Sequence, residues 1–513
     1  MTTRSTQLLV IGAGVTGLGV AWDACLRGMA VTVVEQGDLG QGTSGRYHGL
    51  LHSGARYVLS DPTSAVDCRR ENALLRRLVP HAIEPTGGLC IATSSDPQEY
   101  VGDWLEACRR LELPVDEVTA EAALRREPLL TSQIARAFEV RDAALDSFEL
   151  LHALARGVVQ AGGTVMLRHR VSGLVPHGGG LLARIVSLAD GTALQLEAPV
   201  VVNAAGPFSG AVAAMAGVTL PLALGKGTMV AMASRLTQTV LSRCKAPHDG
   251  DIIVPVGTVC ILGTTDVPVR SPTELTTEPW EVDLLLREGQ VLIPTLRRHR
   301  ALRTWAGIRA LYRPPNDRAP TRALPRAHAL IDHQITDGVP GLLSILGGKL
   351  TTYRKMAEDT VDLVAAQARV DRPCRTAAEA LPVADRRHYS LGERAERVRA
   401  SGGESVSCEC ELVLERQVRD ALEAGSVREL DDLRRDLRLG MGPCQAAFCA
   451  YRAASLALAR LPDSPPDGGL ADFAQERWRG MRNLAWGRGL RQAELLRRIQ
   501  VELLGAESDA ADR

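Results

Sequence analysis

Four cysteines in the last quarter of the chain carry its most specific chemical pattern. Cys408 and Cys410 form a C-x-C pair, and Cys444 and Cys449 form a C-x4-C pair. Thiolates are soft, strong metal ligands, and two such pairs brought together by a turnaround of the chain between them can hold a 2Fe-2S cluster. Zinc on four thiolates is the alternative, although structural zinc sites more often show C-x2-C spacing. A disulfide is the least favoured reading in a reducing compartment. The other seven cysteines, at 25, 68, 90, 108, 244, 260 and 374, are scattered and suit buried, reduced thiols.

A second chemical signature lies at the opposite end. The apolar run Gln7 to Ile11 enters Gly12-Ala-Gly14-Val-Thr-Gly17, a helical stretch follows to Arg27, and the strand-like run 30–34 ends at Glu35. Strand, glycine turn, helix, strand and acid in this order make a dinucleotide cradle. The glycines allow the tight turn and the close approach of backbone to a pyrophosphate, the helix N-terminus faces the anion, and Glu35 is placed to accept from ribose hydroxyls. Flavin and nicotinamide share this fingerprint, so two later segments decide between them. Val200-Val-Val-Asn-Ala204-Ala-Gly206 reads as a buried strand ending in small residues that can touch a cofactor. Gly347-Gly348-Lys349-Leu350-Thr351 follows an apolar run and opens a helix, which suits the ribityl chain and the O2 edge of a flavin. One cradle with two distant supports favours FAD. A two-electron acceptor and a one-electron centre on one chain imply an electron-transfer enzyme.

These segments require a doubly wound α/β unit to position them, and longer motifs make the reading more specific. Thr43-Ser44-Gly-Arg-Tyr-His48-Gly-Leu-Leu-His52-Ser-Gly-Ala-Arg56-Tyr57, Gly263-Thr-Thr-Asp266, Trp305-Ala-Gly-Ile-Arg309 and the Gly347 to Arg354 stretch together resemble the FAD-dependent glycerol-3-phosphate dehydrogenases, of the D-amino-acid-oxidase-like superfamily. The resemblance runs in order from about residue 7 to about 365 and implies a discontinuous Rossmann-like FAD-binding domain (1–87, 145–220 and 330–370). An inserted α+β substrate or cap domain (88–144 and 221–329) would cover the flavin.

It further implies oxidation of sn-glycerol 3-phosphate to dihydroxyacetone phosphate. Arg forks suit phosphate oxygens, so Arg56, Arg309 and Arg326 are the substrate candidates, with Tyr57 as hydroxyl donor. Lys349 either joins them or stabilises the reduced flavin. His48 and His52, four apart, are the candidate bases for the hydroxyl proton. Cofactor contacts fall to Gly12, Gly14, Gly17, Glu35, Thr43, Ser44, Ala204, Gly206, Gly347, Gly348, Leu350 and Thr351. One departure stands out: the aerobic members that work as one chain carry a His shortly after a Lys-Gly pair, whereas Lys226-Gly227 is followed here by Thr228 and Met229. That points to the anaerobic, multi-subunit branch, whose companion subunits carry electrons to membrane quinone.

The last third reads as a linker (371–400), a mainly helical unit (401–460) similar to bacterioferritin-associated-ferredoxin-like 2Fe-2S domains, and a helical segment (461–513). Val413 to Leu437 reads as one charged helix. Phe473 to Leu504 has helical apolar spacing that serves either its own domain or a partner subunit.

At 513 residues two to four domains are expected. Sixty basic and sixty acidic residues leave no net charge, so no whole-chain field directs the protein to nucleic acid or to an anionic membrane. Lys occurs only at 226, 245, 349 and 355, and Arg supplies the rest of the positive charge. The N-terminus lacks the apolar core of a signal peptide, and no apolar run is long enough to span a bilayer. A cytoplasmic protein is expected, peripheral on the plasma membrane at most, through partners. Two other functions fit the same residues: oxidation of another 2-hydroxy acid such as L-2-hydroxyglutarate, and a flavin- and cluster-containing scaffold with no substrate of its own.

Overall fold

The structure, a computed structural model, describes residues 3–314, 316–383, 391–425, 427–460 and 469–503. Its organising element is a six-stranded sheet in the order Thr164–Met166, Val31–Val34, Leu8–Ile11, Val200–Asn203, Leu342–Gly347 and His328–Asp332, parallel except for the last strand. Leu8–Ile11 and Val200–Asn203 are buried throughout, as expected of parallel strands covered on both faces, which read as unbroken apolar runs rather than alternating ones. Helices Val15–Leu26, Ser147–Gln160 and Tyr353–Ala368 pack on one face. Gly19 lets the first meet the third closely: a Cβ there would lie 2.9 Å from the Tyr353 ring. The other face carries a four-stranded sheet (Thr3–Ser5, Ala193–Ala198, Gly180–Ser187, His169–His177) over Val201 and Leu342.

Strands from 88–140 and 222–312 pair into one nine-stranded sheet. Val240–Arg243 lies parallel to Gly88–Thr93 and joins the two stretches. The long strand Ala301–Tyr312 pairs antiparallel with Leu222–Met232 along its length. Alternation along it puts Arg303, Trp305, Gly307 and Arg309 on one face, and all four line the cleft that this sheet forms with the dinucleotide sheet.

The C-terminal third departs from its sequence reading in three places. Residues 371–400, read as a linker, are partly tied down: Leu381 is buried and donates its N–H to Leu78 O, Thr376 receives Arg354, and Leu391–Ala400 is helical. Residues 384–390 of that stretch lie outside the described residues. The charged run from Val413 to Leu437 is two helices, Glu415–Glu423 and Leu430–Leu437. Gly425, with φ +70°, ends the first, and a reciprocal Glu429–Asp432 capping box starts the second. Beyond it come Cys449–Leu458, Leu470–Met481 and Gly487–Arg497. Residues 461–468 and 504–513 of the predicted terminal segment lie outside the described residues. The third departure is in packing. The cysteine unit is bound to the body through buried charge pairs: Arg435–Asp38 at 3.0 Å, Arg438–Asp146 at 3.1 Å and Arg168–Asp432 at 2.5 Å.

Candidate active site

A cleft of about 1780 Å³ runs between the two large sheets, and the C-terminal unit forms one of its walls. At its dinucleotide end Gly12 has φ +105°, a conformation open to glycine, and a Cβ there would strike Ala204 O at 2.7 Å. Glu35 braces this turn, its carboxylate accepting from Ala13 N at 2.9 Å and Gly37 N at 2.7 Å. Burial pushes that carboxyl above its usual range. Ser44 Oγ accepts from Val15 N at 3.0 Å, and Thr43 donates to Ile308 O at 2.6 Å, tying the cradle to the strand above. Gly348, with φ +71°, has Met356 Sδ 2.3 Å from where a Cβ would stand. The following Leu350–Thr352 is a 3-10 turn, and the helix proper begins only at Tyr353, later than the sequence suggests.

Gly12, Gly14, Glu35, Thr43, Ser44, Ala204, Gly206, Gly347, Gly348, Leu350 and Thr351 all line the cleft. Gly17 does not. It stands behind the turn, where a Cβ would lie 1.9 Å from Gly12 O, so its smallness serves the packing of helix on turn.

At the other end of the dinucleotide cradle the cleft gathers His48, His52, Arg56, Tyr57, Arg309, Arg326 and Lys349. Two of these arginines are paired with carboxylates of the chain. Arg56 is held by the fully buried Asp251 at 2.8 Å. Arg309 is bracketed by Asp266 Oδ1 at 3.0 Å, Thr265 O at 3.2 Å and the Thr264 hydroxyl. Arg326 lies 3.9 Å from the other Asp266 oxygen and has a buried Nη1 without a partner among the described residues. Asp266 therefore organises the cation set, and the sequence reading missed it. It was visible within Gly263-Thr-Thr-Asp266, but a carboxylate that orients an arginine 43 positions away leaves no local signal. Lys349 Nζ sits 4.3 Å over the Tyr57 ring, and desolvation holds its ammonium below the usual lysine range.

The two histidines differ. Backbone N–H can only donate, so the 3.2 Å contact from Leu50 N leaves the lone pair of neutral His48 on Nδ1 and its proton on Nε2. Nε2 of His48, a residue of the cleft lining, is thus a donor. His52 is buried, edge-on to His48 with ring centroids 5.9 Å apart, and its Nε2 stands 3.5 Å from the Tyr57 hydroxyl. Burial, reinforced by Arg309 and Arg56, pushes His48 down to about 3. Burial, His48, Lys349 and Arg56 push His52 well below the ordinary imidazole range. Both rings are neutral at pH 7. Lys226, by contrast, is spent on the buried Glu281 at 2.9 Å.

In the C-terminal unit the four cysteines are neighbours. Mutual influence among the four thiols holds Cys408 and Cys444 below the usual thiol range and Cys410 and Cys449 above it. A Cβ on Gly442 would lie 2.2 Å from Cys410 Cβ, so the loop passes close over the pair. Among the described residues no group of three or more His, Cys, Asp or Glu side chains is placed to hold a metal ion.

The family model for FAD dependent oxidoreductases of the DAO type matches residues 7–354, which hold both glycine turns and the strand over the cleft. The chain belongs to this family. Within it, the chain is 38% identical over 541 residues to a subunit of the anaerobic glycerol-3-phosphate dehydrogenase of Haloferax volcanii, covering 99% of this chain and 92% of that protein. It is 36% identical to the corresponding subunit of the anaerobic glycerol-3-phosphate dehydrogenase of Escherichia coli strain K12, covering 99% of each. Among solved structures, the FAD-complexed glycerol-3-phosphate dehydrogenase of Bacillus halodurans superposes with a TM-score of 0.60 at 22% identity, covering 98% of this chain and 96% of that one. A glycine oxidase from Geobacillus kaustophilus gives 0.59 at 22% identity over 74% of this chain and 99% of its own. The family fold thus spans residues 7–354, and the full-length relatives extend through the cysteine unit.

Proposed function

We propose that the protein oxidises sn-glycerol 3-phosphate to dihydroxyacetone phosphate with FAD, and passes the electrons through a 2Fe-2S cluster and partner subunits toward membrane quinone. The observation that carries the substrate reading is the cation set braced by Asp266 beside two neutral histidines, at one end of a dinucleotide cleft. A phosphate dianion needs several cations. Arg309 and Arg326 supply planar forks matched to its oxygens, and Lys349 adds a point charge.

Bound FAD supplies the two-electron acceptor. Arg309, fixed by Asp266, holds the phosphate, and Arg326 offers its unpartnered Nη1. His48 donates Nε2–H to the substrate oxygen and orients it. His52, neutral and without a backbone donor on either ring nitrogen, takes the hydroxyl proton. Lys349 adds positive charge beside the Gly347–Gly348 turn.

The C-x-C and C-x4-C spacing supports a two-iron cluster over zinc, whose structural sites more often show C-x2-C. A 2Fe-2S cluster asks only two thiolates of each iron, and the sequence supplies two pairs, Cys408 with Cys410 and Cys444 with Cys449. A single zinc ion would need at least three ligands placed around one point. The relatives are named as subunits of a larger enzyme, which supports companion chains for this one. Phe448 and Tyr451, exposed beside Cys449, are apolar surface that an acceptor could cover. No helix among the described residues is long and apolar enough to cross a membrane. We assign the protein to the cytoplasm, reaching the membrane through those companions.

The substrate test is anaerobic mixing with sn-glycerol 3-phosphate and, separately, with L-2-hydroxyglutarate. Bleaching of the flavin band by the first alone supports the reading. Bleaching by the second alone would replace phosphate recognition with carboxylate recognition, and bleaching by neither would favour a scaffold.

A further inference from the structure

Behind the substrate-end arginines lies a buried network centred on Glu281, the third residue of helix Pro279–Leu292. Its carboxylate receives four donors. Oε1 accepts from the hydroxyls of Thr228 and Thr265, each at 2.8 Å, and Oε2 accepts from Lys226 Nζ at 2.9 Å and Glu278 N at 3.0 Å. Two oxygens offer about four lone-pair sites, so the group is filled. Glu281, Lys226, Thr228 and Thr265 are all buried. Gly227, Thr264, Thr265, Asp266 and Arg309 line the cleft, whereas Lys226, Thr228 and Glu281 stand behind that lining.

Strand alternation places these groups. Along Leu222–Met232, Lys226 and Thr228 turn toward Glu281, while Gly225 and Gly227 turn the other way and make room for an ion pair. A Cβ on Gly227 would lie 2.6 Å from Arg309 Nη2, and one on Gly225 would lie 2.7 Å from Asp266 Oδ1. Thr265 joins the two faces. Its N–H donates to Thr228 O at 3.3 Å, and its hydroxyl accepts from Thr228 N at 2.9 Å and donates to Glu281. Its carbonyl accepts from both terminal nitrogens of Arg309, each at 3.2 Å. With nitrogen and hydroxyl held from behind, that carbonyl is aimed at the fork. A buried ion pair adds little stability over apolar residues of the same shape. A fully satisfied polar network does specify one arrangement of the groups it holds.

We propose that Glu281 is a positioning residue for substrate binding: it fixes Thr265 from behind the cleft, and through Thr265 it sets the Arg309 fork that receives the phosphate. The inference rests on the reading of Arg309 as that fork. Asp266 braces the same guanidinium directly at 3.0 Å, so Arg309 is held from two directions. Lys226 balances the charge of Glu281, and the second brace therefore adds no net negative charge behind an anion site. Substrate affinity then depends on a carboxylate that no substrate touches.

The test is anaerobic stopped-flow reduction of the full-length, FAD-loaded protein by sn-glycerol 3-phosphate. Half-saturating concentration and limiting rate are read separately, with FAD content and thermal midpoint measured on the same samples. Glu281→Gln and Thr265→Val should each raise the half-saturating concentration about three- to tenfold, the worth of one hydrogen bond, with FAD retained and the limiting rate near wild type. Thr265→Ser, which keeps the hydroxyl, should recover most of what Thr265→Val loses. In an Arg309→Ala background Glu281→Gln should add little, because the group through which it acts is gone. Thr265→Val carries the test if Glu281→Gln does not fold. Unchanged half-saturation in both single variants, or a full further loss when Glu281→Gln is combined with Arg309→Ala, would overturn the inference while Arg309→Ala alone still weakens binding. A lower thermal midpoint or lost FAD without a rise in half-saturation would make Glu281 merely structural and also overturn it. If Arg309→Ala alone has no effect, or if sn-glycerol 3-phosphate fails to bleach the wild-type flavin, the phosphate reading falls and this inference with it.

Discussion

The two ends of the cleft use the same residue type in opposite ways. Near the histidines each arginine has its carboxylate: Arg56 has Asp251, and Arg309 has Asp266, with Arg326 nearby. These partners fix the guanidiniums without covering them, and Arg309 remains 29% exposed to the cleft. Where the C-terminal unit meets strand Ala301–Tyr312, Arg477 is buried with no hydrogen-bonding partner among the described residues, and the cations Arg303 and Arg434 are near it. A braced, accessible fork is what a mobile substrate needs, because it must be ready before the anion arrives and after it leaves. An unbraced, buried one is not prepared in that way. The contrast therefore separates an arginine held ready for a mobile anion from one left unbraced inside the fold.

The largest expected effect tests the histidine assignment at the substrate end. His52→Ala should lower the rate of flavin reduction at saturating substrate about 10²- to 10⁴-fold, the range for loss of a general base, measured by anaerobic stopped flow. His48→Ala should fall well short of that and raise the substrate concentration required. Equal losses in both would erase the distinction drawn from their hydrogen bonds.

Next comes the braced fork. Arg309→Ala should weaken substrate binding about ten- to a hundredfold, the worth of a charge-assisted pair to phosphate, and Arg309→Lys should restore little because the fork geometry is lost. Asp266→Asn keeps the shape but loosens the brace, so it should weaken binding in the same direction by less. If Asp266→Asn left the substrate dependence of flavin reduction untouched, the carboxylate would not be organising the site.

The smallest effect concerns pH. His48 titrates at about 3 in the folded protein and near 6.5 when unfolded. The unfolded chain therefore takes up this proton first, and stability falls as pH drops from about 6.5 toward about 3. His48→Asn should make the acid side of the stability curve shallower by up to about one proton, read from denaturant midpoints across that range. A parallel pair of curves would mean that His48 keeps its ordinary affinity for protons.

Much of this was legible in the sequence, for identifiable reasons. The cradle at Gly12, Gly14 and Glu35 is a local pattern whose spacing is dictated by one turn and one strand, so it could be read directly. The paired cysteines are likewise local, and His48, Arg56, Tyr57, Arg309, Arg326 and Lys349 came through ordered motifs and do line one cleft. What the sequence did not disclose is long-range pairing. Asp266 beside Arg309, Asp38 beside Arg435 and Arg303 beside Arg477 are joined only by the fold. The C-terminal unit consequently looked like a tethered module, and its place as a cleft wall could not be seen. Gly17 was misread for the opposite reason: its motif is local, but a motif does not say which glycine faces the ligand and which faces the helix.

The most direct test of the link between the two ends is to reduce the wild-type protein with sn-glycerol 3-phosphate alone, without air or mediators, and to follow flavin absorbance and cluster EPR in one sample. The account predicts that the flavin band bleaches and that the signal of the reduced cluster then appears, with no other reductant present. A bleached flavin beside a cluster that stays oxidised, although dithionite reduces it, would contradict the account.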